Sequence, residues 1–590
     1  MAIQNRLADF REQASHKADN ARHAFTSWTA FKSWIQVHDT PLDEHGHRQS
    51  GPTWSNEDLD PTPPEKRNWR WYNYIVFYWA LSFGNWTLGS TMIGIGLNWY
   101  QAIIVIFLSQ LISSFAQFVA ARCGSVYHVG FPVAARSVFG MWGSYYYVGA
   151  RAALAIVWYG VQLYSGSALV ANMLRAVFGH SYTDIPNHIP ASMGITSAGM
   201  VAFFLFWCMH LPFTFLRPYH LRWFFWAKTA IMIPAIWGLF IFCMVNTKGQ
   251  IGLGTLSRTH AVPGSNGLGW FFVYAINAGM GNTATLITNS CDLSRWSTTR
   301  WGAMWSQLCT NPIAVTLSAT LGILSTAAIN NAWGLELWNQ WDLLDAIMTR
   351  YWSGSTRFAC LLVAAGWSIS ILGTNIAANM IPFGSDSTLL FPRYLTIPRG
   401  QFLVQILGFA ICPWKILASA SVFTTFLAGY GLFMASVVAI MVCDYFLLTK
   451  GNVFISHLYN GDKDNKHYYY TKGWNVQAII AYLAGVALPF PGFVGTLGPK
   501  VSVPAQRLGD CGWMLSFVTS FVLYYLICLV WPTRNQKLIR EMGLKFEEAS
   551  HAELVALDGT NIPESLDGAH TGDEKVGTHV VSEKVGSSRF

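Results

Sequence analysis

Charge is scarce in this chain: Asp, Glu, Lys and Arg make up 12% of its 590 residues, about half the share of a soluble domain. Hydrophobic residues reach 52% and the mean hydropathy is +0.31, which excludes an ordinary soluble enzyme. Cysteine is not organised. Its ten copies are scattered through apolar runs without Cys-x-x-Cys pairing, so neither a disulfide framework nor a zinc site is expected. No Gly-x-Ser-x-Gly, Walker A loop or His-Glu-x-x-His occurs, so neither hydrolysis nor ATP-driven work by this chain is supported. The net charge of +8 comes with no basic patch interleaved with aromatics, and no nucleic-acid partner or cofactor is expected. There is no apolar leader either. The first 68 residues are polar, and the first span is expected to serve as the insertion signal.

Long uncharged runs are present instead. A helix needs about 20 apolar residues to cross the hydrocarbon core. Trp71 to Ala121 holds no Asp, Glu, Lys or Arg and is long enough for two spans. Further spans are expected at 144–171, 194–216, 222–245, 268–290, 301–329, 358–381, 400–414, 420–448, 475–498 and 512–532. The reading is an all-α polytopic membrane protein of twelve helices in the bilayer. Its divisions are a tail over 1–68, a transporter body over 69–532 and a tail over 533–590. With both ends in the cytoplasm, inner loops and juxtamembrane tails carry eighteen Lys and Arg against eight outside, as the positive-inside rule requires. Arg151 and Lys228 fall inside spans and are left out of that count.

Polar residues inside the runs carry the functional signal, because polar groups at membrane depth face a bundle interior or a cavity. Ser370 and Thr374 are one helical turn apart in the eighth span, and so are Asn375 and Asn379. In the first span Gly84, Asn85, Thr87, Gly89, Ser90, Thr91, Gly94 and Gly96 cluster. In the sixth, Asn277, Gly279, Gly281, Asn282, Thr283, Thr285, Thr288 and Asn289 do the same. Glycine is unfavourable within a helix by about 1 kcal/mol relative to Ala, so these two spans are expected to be interrupted; close packing of small residues is the alternative. Interrupted spans five apart point to two inverted repeats with a site between them. In the third span Trp158 and Gln162 share a face. An indole beside an amide suits a flat heterocycle, and a packed Trp with a Gln bonded to a neighbouring helix is the alternative. Lys228 either snorkels to the interface or takes part in coupling. Asp292 is expected to contact Arg295 locally. The interrupted helices alone would equally fit an amino-acid carrier.

Taken in order, the segment Trp54-Ser-Asn-Glu-Asp-Leu-Asp-Pro-Thr-Pro-Pro-Glu-Lys-Arg67, Trp158-x-x-x-Gln162, Asn289-x-x-Asp292-x-x-Arg295, Thr374-Asn375-x-x-x-Asn379 and Cys412-Pro-Trp414 resemble the type 1 nucleobase–cation symporter family in its fungal uracil/allantoin permease branch. The resemblance runs from about Trp54 to Trp531. It implies a LeuT-type fold, with ten core helices in a five-plus-five inverted repeat and two peripheral helices. It also implies alternating access in the plasma membrane for a small planar heterocycle such as uracil or allantoin. Uridine, thiamine or nicotinamide riboside are the related alternatives. By position, Trp158 would stack on the ring, and Gln162 and Asn379 would bond its edge. Asn282 falls near a stacking Trp of a bacterial member, leaving the far ring face to residues such as Phe271, Phe272 or Tyr274. Thr374, with Ser370, falls in the cation site of sodium-coupled members. Gly373 replaces a hydroxyl there, which favours a proton over sodium, with Lys228, Asp292 and Glu336 as candidate carriers. Asn375 has no ligand and is expected to tie its helix to a neighbour.

Overall fold

The computed structural model describes residues 26–28, 36–37, 54–214, 222–252 and 267–549. Most of both expected tails, and the basic positions Arg217 and Arg258, lie outside the described residues. Among those residues there are helices and turns but no strand beyond two isolated bridges, Trp69 to Ser297 and Thr471 to Trp474.

Lipid leaves a backbone amide no partner but its own helix, and the apolar runs fold accordingly. Among the described residues, seven helices are long and apolar enough to cross alone: Trp99–Tyr127, Gly143–Phe178, Trp223–Asn246, Gly302–Trp333, Gly354–Leu390, Ala420–Leu448 and Gly512–Val530. The expected eleventh span is the pair Val476–Ala487 and Phe490–Thr496, bent by 45° where Pro489 and Pro491 remove backbone donors. The other four expected spans are short or interrupted. The fourth is Ser197–His210. The ninth, Ile397–Ala410, has 14 residues and reaches only about 21 Å at 1.5 Å per residue.

The first and sixth spans break where their Gly and Asn residues cluster. The first runs as Trp71–Ser82, a 3-10 turn Phe83–Asn85, then Trp86–Gly94. The sixth runs as Leu268–Gly281, Ala284–Thr288 and Ser290–Ser294. Small residues let these breaks approach their neighbours. A Cβ on Gly281 would collide with the Leu427 carbonyl of the tenth span.

The eighth span, Gly354–Leu390, outruns its expected end at 381. It is α-helical to Asn375, π-helical over Ile376–Met380 and α-helical again from Ile381. Pro382 explains the wide turn: it has no N–H for the Ala378 carbonyl and its ring crowds that oxygen.

Both ends of the described body lie on one face. Asn56 Nδ2 donates to the carbonyls of Pro392 and Leu395 at 2.9 Å, and Arg136 Nη1 donates to the carbonyls of Trp54 at 2.9 Å and Leu458 at 3.0 Å. At the other end of the chain, the Glu547 carboxylate accepts from Arg122 Nε at 2.8 Å and Nη2 at 2.7 Å, and from Tyr445 Oη at 2.9 Å. Arg122 also lies 4.0 Å over the Trp301 ring. The segment after the last span thus fastens the ends of the second, seventh and tenth spans together. Glu547→Ala leaves the buried Arg122 unpaired, at about 2–3 kcal/mol. The expected result is a melting temperature several degrees lower and faster proteolysis within 534–549. Glu547→Gln should be milder, since it keeps part of the bonding.

Candidate functional site

The two breaks meet. Asn282 Nδ2 donates to Asn85 Oδ1 at 2.9 Å, and Asn85 Nδ2 donates to the Ser82 carbonyl at 3.1 Å. The polar residues that interrupt each helix therefore satisfy one another. Asn282 is half-buried and spends its amide nitrogen on this bridge.

Beside the breaks, Trp158 is buried in the third span, and its indole Nε1 has no hydrogen-bond partner. Its ring neighbours come from the tenth span: Phe423 at 6.3 Å, Phe426 at 5.6 Å and Tyr430 at 6.1 Å. These aromatics of the tenth span are the rings packed against Trp158. Tyr430 Oη in turn donates to the Gly281 carbonyl at the break of the sixth span. Gln162, one turn on, is half-buried and its amide makes no hydrogen bond among the described residues.

Asn379 sits in the π-turn of the eighth span, 3% exposed. Its Nδ2 donates to Asn375 Oδ1 at 2.9 Å, while Oδ1 has no partner among the described residues. Asn375 ties its helix to the third span, as expected, by donating to the Tyr159 carbonyl at 3.2 Å. It also meets His210 Nε2 at 3.2 Å, a contact the sequence did not announce. Trp158 and Gln162 lie on the third span and Asn379 on the eighth, two helices joined by the bond from Asn375 to the Tyr159 carbonyl. A separate small cavity, lined by Cys123, Ser137, Asp444, Tyr445 and Asn535 among others, includes none of the three.

Lys228 does not snorkel. It is fully buried in the fifth span, and its Nζ donates to Thr374 Oγ1 at 2.6 Å. Thr374 Oγ1 donates in turn to the Ser370 carbonyl at 3.1 Å, and the Ser370 hydroxyl is unpartnered. Gly373 makes this arrangement possible. A Cβ there would lie 2.6 Å from Phe224 Cε1 and 3.0 Å from Lys228 Cδ. The residue that removes a hydroxyl is the one that admits the lysine stem. Glu336, by contrast, is exposed in the connector after Gly302–Trp333.

Nearer the tail-bearing face lies a buried charge network. Arg151 of the third span pairs with Asp386 of the eighth, at 1% and 0% side-chain exposure. Its Nη2 reaches the Asn289 amide oxygen at 2.8 Å when that amide nitrogen bonds the Thr285 and Leu286 carbonyls. Asp292 is not paired locally with Arg295. Its Oδ1 accepts from Phe131 N and Ser385 Oγ, both at 3.0 Å. Arg295 donates instead to the Asp58 carbonyl at 3.0 Å, the Asp60 carbonyl at 2.8 Å and Thr62 Oγ1 at 2.7 Å. Arg295 stays in the electrostatic neighbourhood of Asp292, but its hydrogen bonds go to the N-terminal segment, which offers the guanidinium three oxygens at once. Asp386 escaped sequence reasoning because the eighth span was ended too early. Two opposite charges, Arg151 and Asp386, far from the Arg175 and Arg357 that sit at the other ends of the same helices, were the available signal.

Comparison with known proteins agrees with this geometry. The model of the family described as permease for cytosine/purines, uracil, thiamine, allantoin matches residues 61–516. The allantoin permease of Saccharomyces cerevisiae is 34% identical over 484 residues, covering 81% of this chain and 76% of that protein. The uracil permease of the same yeast is 34% identical over 498 residues, covering 83% and 78%. Among solved structures, a nucleobase-cation-symport-1 family transporter in a closed conformation with bromovinylhydantoin bound superposes with a TM-score of 0.63. It shares 19% identity, over 86% of this chain and 99% of that one. The chain belongs to the cytosine/purine, uracil, thiamine and allantoin permease family. It is a membrane permease with the LeuT-type fold, five plus five core helices in inverted repeat and two peripheral ones.

Proposed function

We propose that this permease imports a planar heterocycle, uracil, allantoin or a related nucleobase, across the plasma membrane by proton-coupled symport with alternating access. The observation that carries the reading is a set of unspent polar atoms on two packed helices. The Gln162 amide and Asn379 Oδ1 have no partner, and the Trp158 indole lies beside them with an unpaired N–H. The Trp158 N–H is buried without a partner, which costs about 1–3 kcal/mol, and the two amides are left open to a ligand. A flat ring with N–H and C=O on its edge satisfies the amides while its face lies on the indole. The aromatics of the tenth span suit the opposite face, and Asn282 supplies its free carbonyl from the break. The names of the yeast relatives, allantoin and uracil permease, support the same substrate class.

Coupling is assigned to Lys228, with Thr374 and Ser370 as its oxygen partners: a tethered amine stands where sodium-coupled relatives would hold an ion. Asp292, in the charge network, holds the inner ends of the sixth and eighth spans together and would act through opening rather than by carrying the proton. The tail-bearing face is taken as cytoplasmic. It carries the excess of Lys and Arg, so both tails, 1–68 and 533–590, flank the 69–532 body on the inside.

Uptake of labelled uracil, allantoin, uridine and thiamine by yeast lacking its own permeases tests the substrate class. Transport of none of them by a surface-localised protein would refute it. Asn379→Ala and Gln162→Ala should each raise KM about tenfold or more, with smaller change in kcat, because each removes one edge hydrogen bond worth about 1.5 kcal/mol.

A further inference from the structure

Asn379 is held by a chain of hydrogen bonds that runs in one direction only. The Phe206 carbonyl, one turn before His210 in the fourth span, lies 2.9 Å from His210 Nδ1. A carbonyl can only accept, so Nδ1 carries the proton and Nε2 of the neutral ring presents a lone pair. Asn375 Nδ2 lies 3.2 Å from that lone pair and 3.2 Å from the Tyr159 carbonyl, itself only an acceptor. Both N–H groups of Asn375 are therefore spent, and its Oδ1 must turn the other way. There it accepts from Asn379 Nδ2 at 2.9 Å. His210 and Asn375 are fully buried, so water cannot relax the arrangement. At the far end Asn379 spends one of its two N–H groups on Asn375, and its Oδ1 is the atom left without a partner among the described residues.

We infer that Asn375, anchored by His210 and the Tyr159 carbonyl, is a specificity-determining positioning residue. It fixes the Asn379 amide so that the transported ring must offer an N–H donor at that point of its edge. This rests on the reading of Asn379 as a substrate residue. Asn375 touches no substrate; it acts by forbidding the half-turn that would let Asn379 donate instead. The Tyr159 anchor has a second effect, because its neighbour Trp158 is the proposed stacking residue. One bond thereby fixes the acceptor relative to the ring face. The site would reject a heterocycle with carbon, or a pyridine-type nitrogen, in place of the N–H.

The test uses uracil and its 1-deaza and 3-deaza analogues, planar hydroxypyridones in which one ring N–H becomes C–H and a neighbouring carbonyl becomes a hydroxyl at nearly constant shape. Each competes with the labelled heterocycle that the cells take up. In the wild-type permease one of the two analogues should bind about a hundredfold more weakly than uracil, because it leaves a buried acceptor unpaired. Asn375→Leu frees the Asn379 amide to turn, and the ratio should shrink to below about tenfold. His210→Gln keeps an acceptor near the Nε2 position and should keep the ratio. A defect of folding or packing alone would weaken all three ligands together and leave the ratio unchanged. Should Asn375→Leu not reach the surface, His210→Leu severs the outer anchor and is read the same way, as is ligand-induced thermal stabilisation of purified protein. An unchanged ratio in the severed variants, or equal affinity of the wild type for uracil and both analogues, overturns the inference. Failure of every heterocycle to compete in the wild type instead overturns the substrate reading itself.

Discussion

Lys228→Met is expected to abolish uphill accumulation of substrate while leaving a surface-localised protein that still binds and equilibrates it. The lysine is fully buried, and among the described residues its only hydrogen-bond partner is Thr374 Oγ1. No carboxylate lies within ion-pair distance of it among those residues. An ammonium without a counter-ion is costly in such a place, so the charged form belongs with the states in which water reaches the site. That linkage is what coupling requires. The effect is large because the driving force is large. One pH unit supplies about 1.4 kcal/mol per proton and 100 mV supplies about 2.3 kcal/mol per charge, together roughly a 500-fold accumulation. Methionine keeps the volume and apolar stem, so the Gly373 niche stays filled. Accumulation ratios at two external pH values, with and without a protonophore, are the measurement. A Lys228→Met permease that still concentrates substrate in response to pH would remove the lysine from the coupling scheme.

The second large effect is expected at the Arg151–Asp386 pair. Asp386→Asn or Arg151→Met leaves one charge buried against a helix without its partner, a loss of about 3–5 kcal/mol. Each single variant should be retained inside the cell or melt far below the wild type. Replacing both partners, Arg151→Met with Asp386→Leu, should recover most of the stability, since an apolar pair carries no desolvation penalty. It should not recover full transport. The pair, with Asn289 and Ser385 beside it, joins the third, sixth and eighth spans at one level, and under the proposed alternating access these spans separate there on opening to the tail-bearing side. Thermal melting of the purified variants, read beside their surface fractions, separates the two roles. Single variants within about 1 kcal/mol of the wild type would show that the pair is not a structural constraint.

What could be read in advance follows from lipid as a solvent. An apolar run can do little but become a helix there, and a Gly- and Asn-rich stretch inside it must break or pack closely. The spans and the two interruptions were legible for that reason. The faces of Trp158–Gln162 and Asn375–Asn379 were legible because helical spacing is local. What joins distant helices was not. His210 gave no sign of facing Asn375, nor Phe426 and Tyr430 of facing Trp158. Arg295 found the Asp58 and Asp60 carbonyls although Asp292 stood three residues away. Lys228 looked as ready to snorkel as to stay inside. Its burial beside Gly373 and its bond to Thr374 show that the lysine stays inside.

The wide turn at Ile376–Met380 has a consequence for chain length. A regular helix advances about 100° per residue, and a π-turn accommodates one residue beyond the regular count. The portion of the eighth span that meets Lys228 and the portion that meets Arg151 lie on opposite sides of it, so their angular phase is set there. Losing one residue within the turn would swing Asp386 roughly 100° around the axis while leaving Thr374 where it is. The helix could then satisfy one charge site or the other, but not both. Its residue count between Thr374 and Asp386 is therefore constrained as tightly as the identities of the two residues.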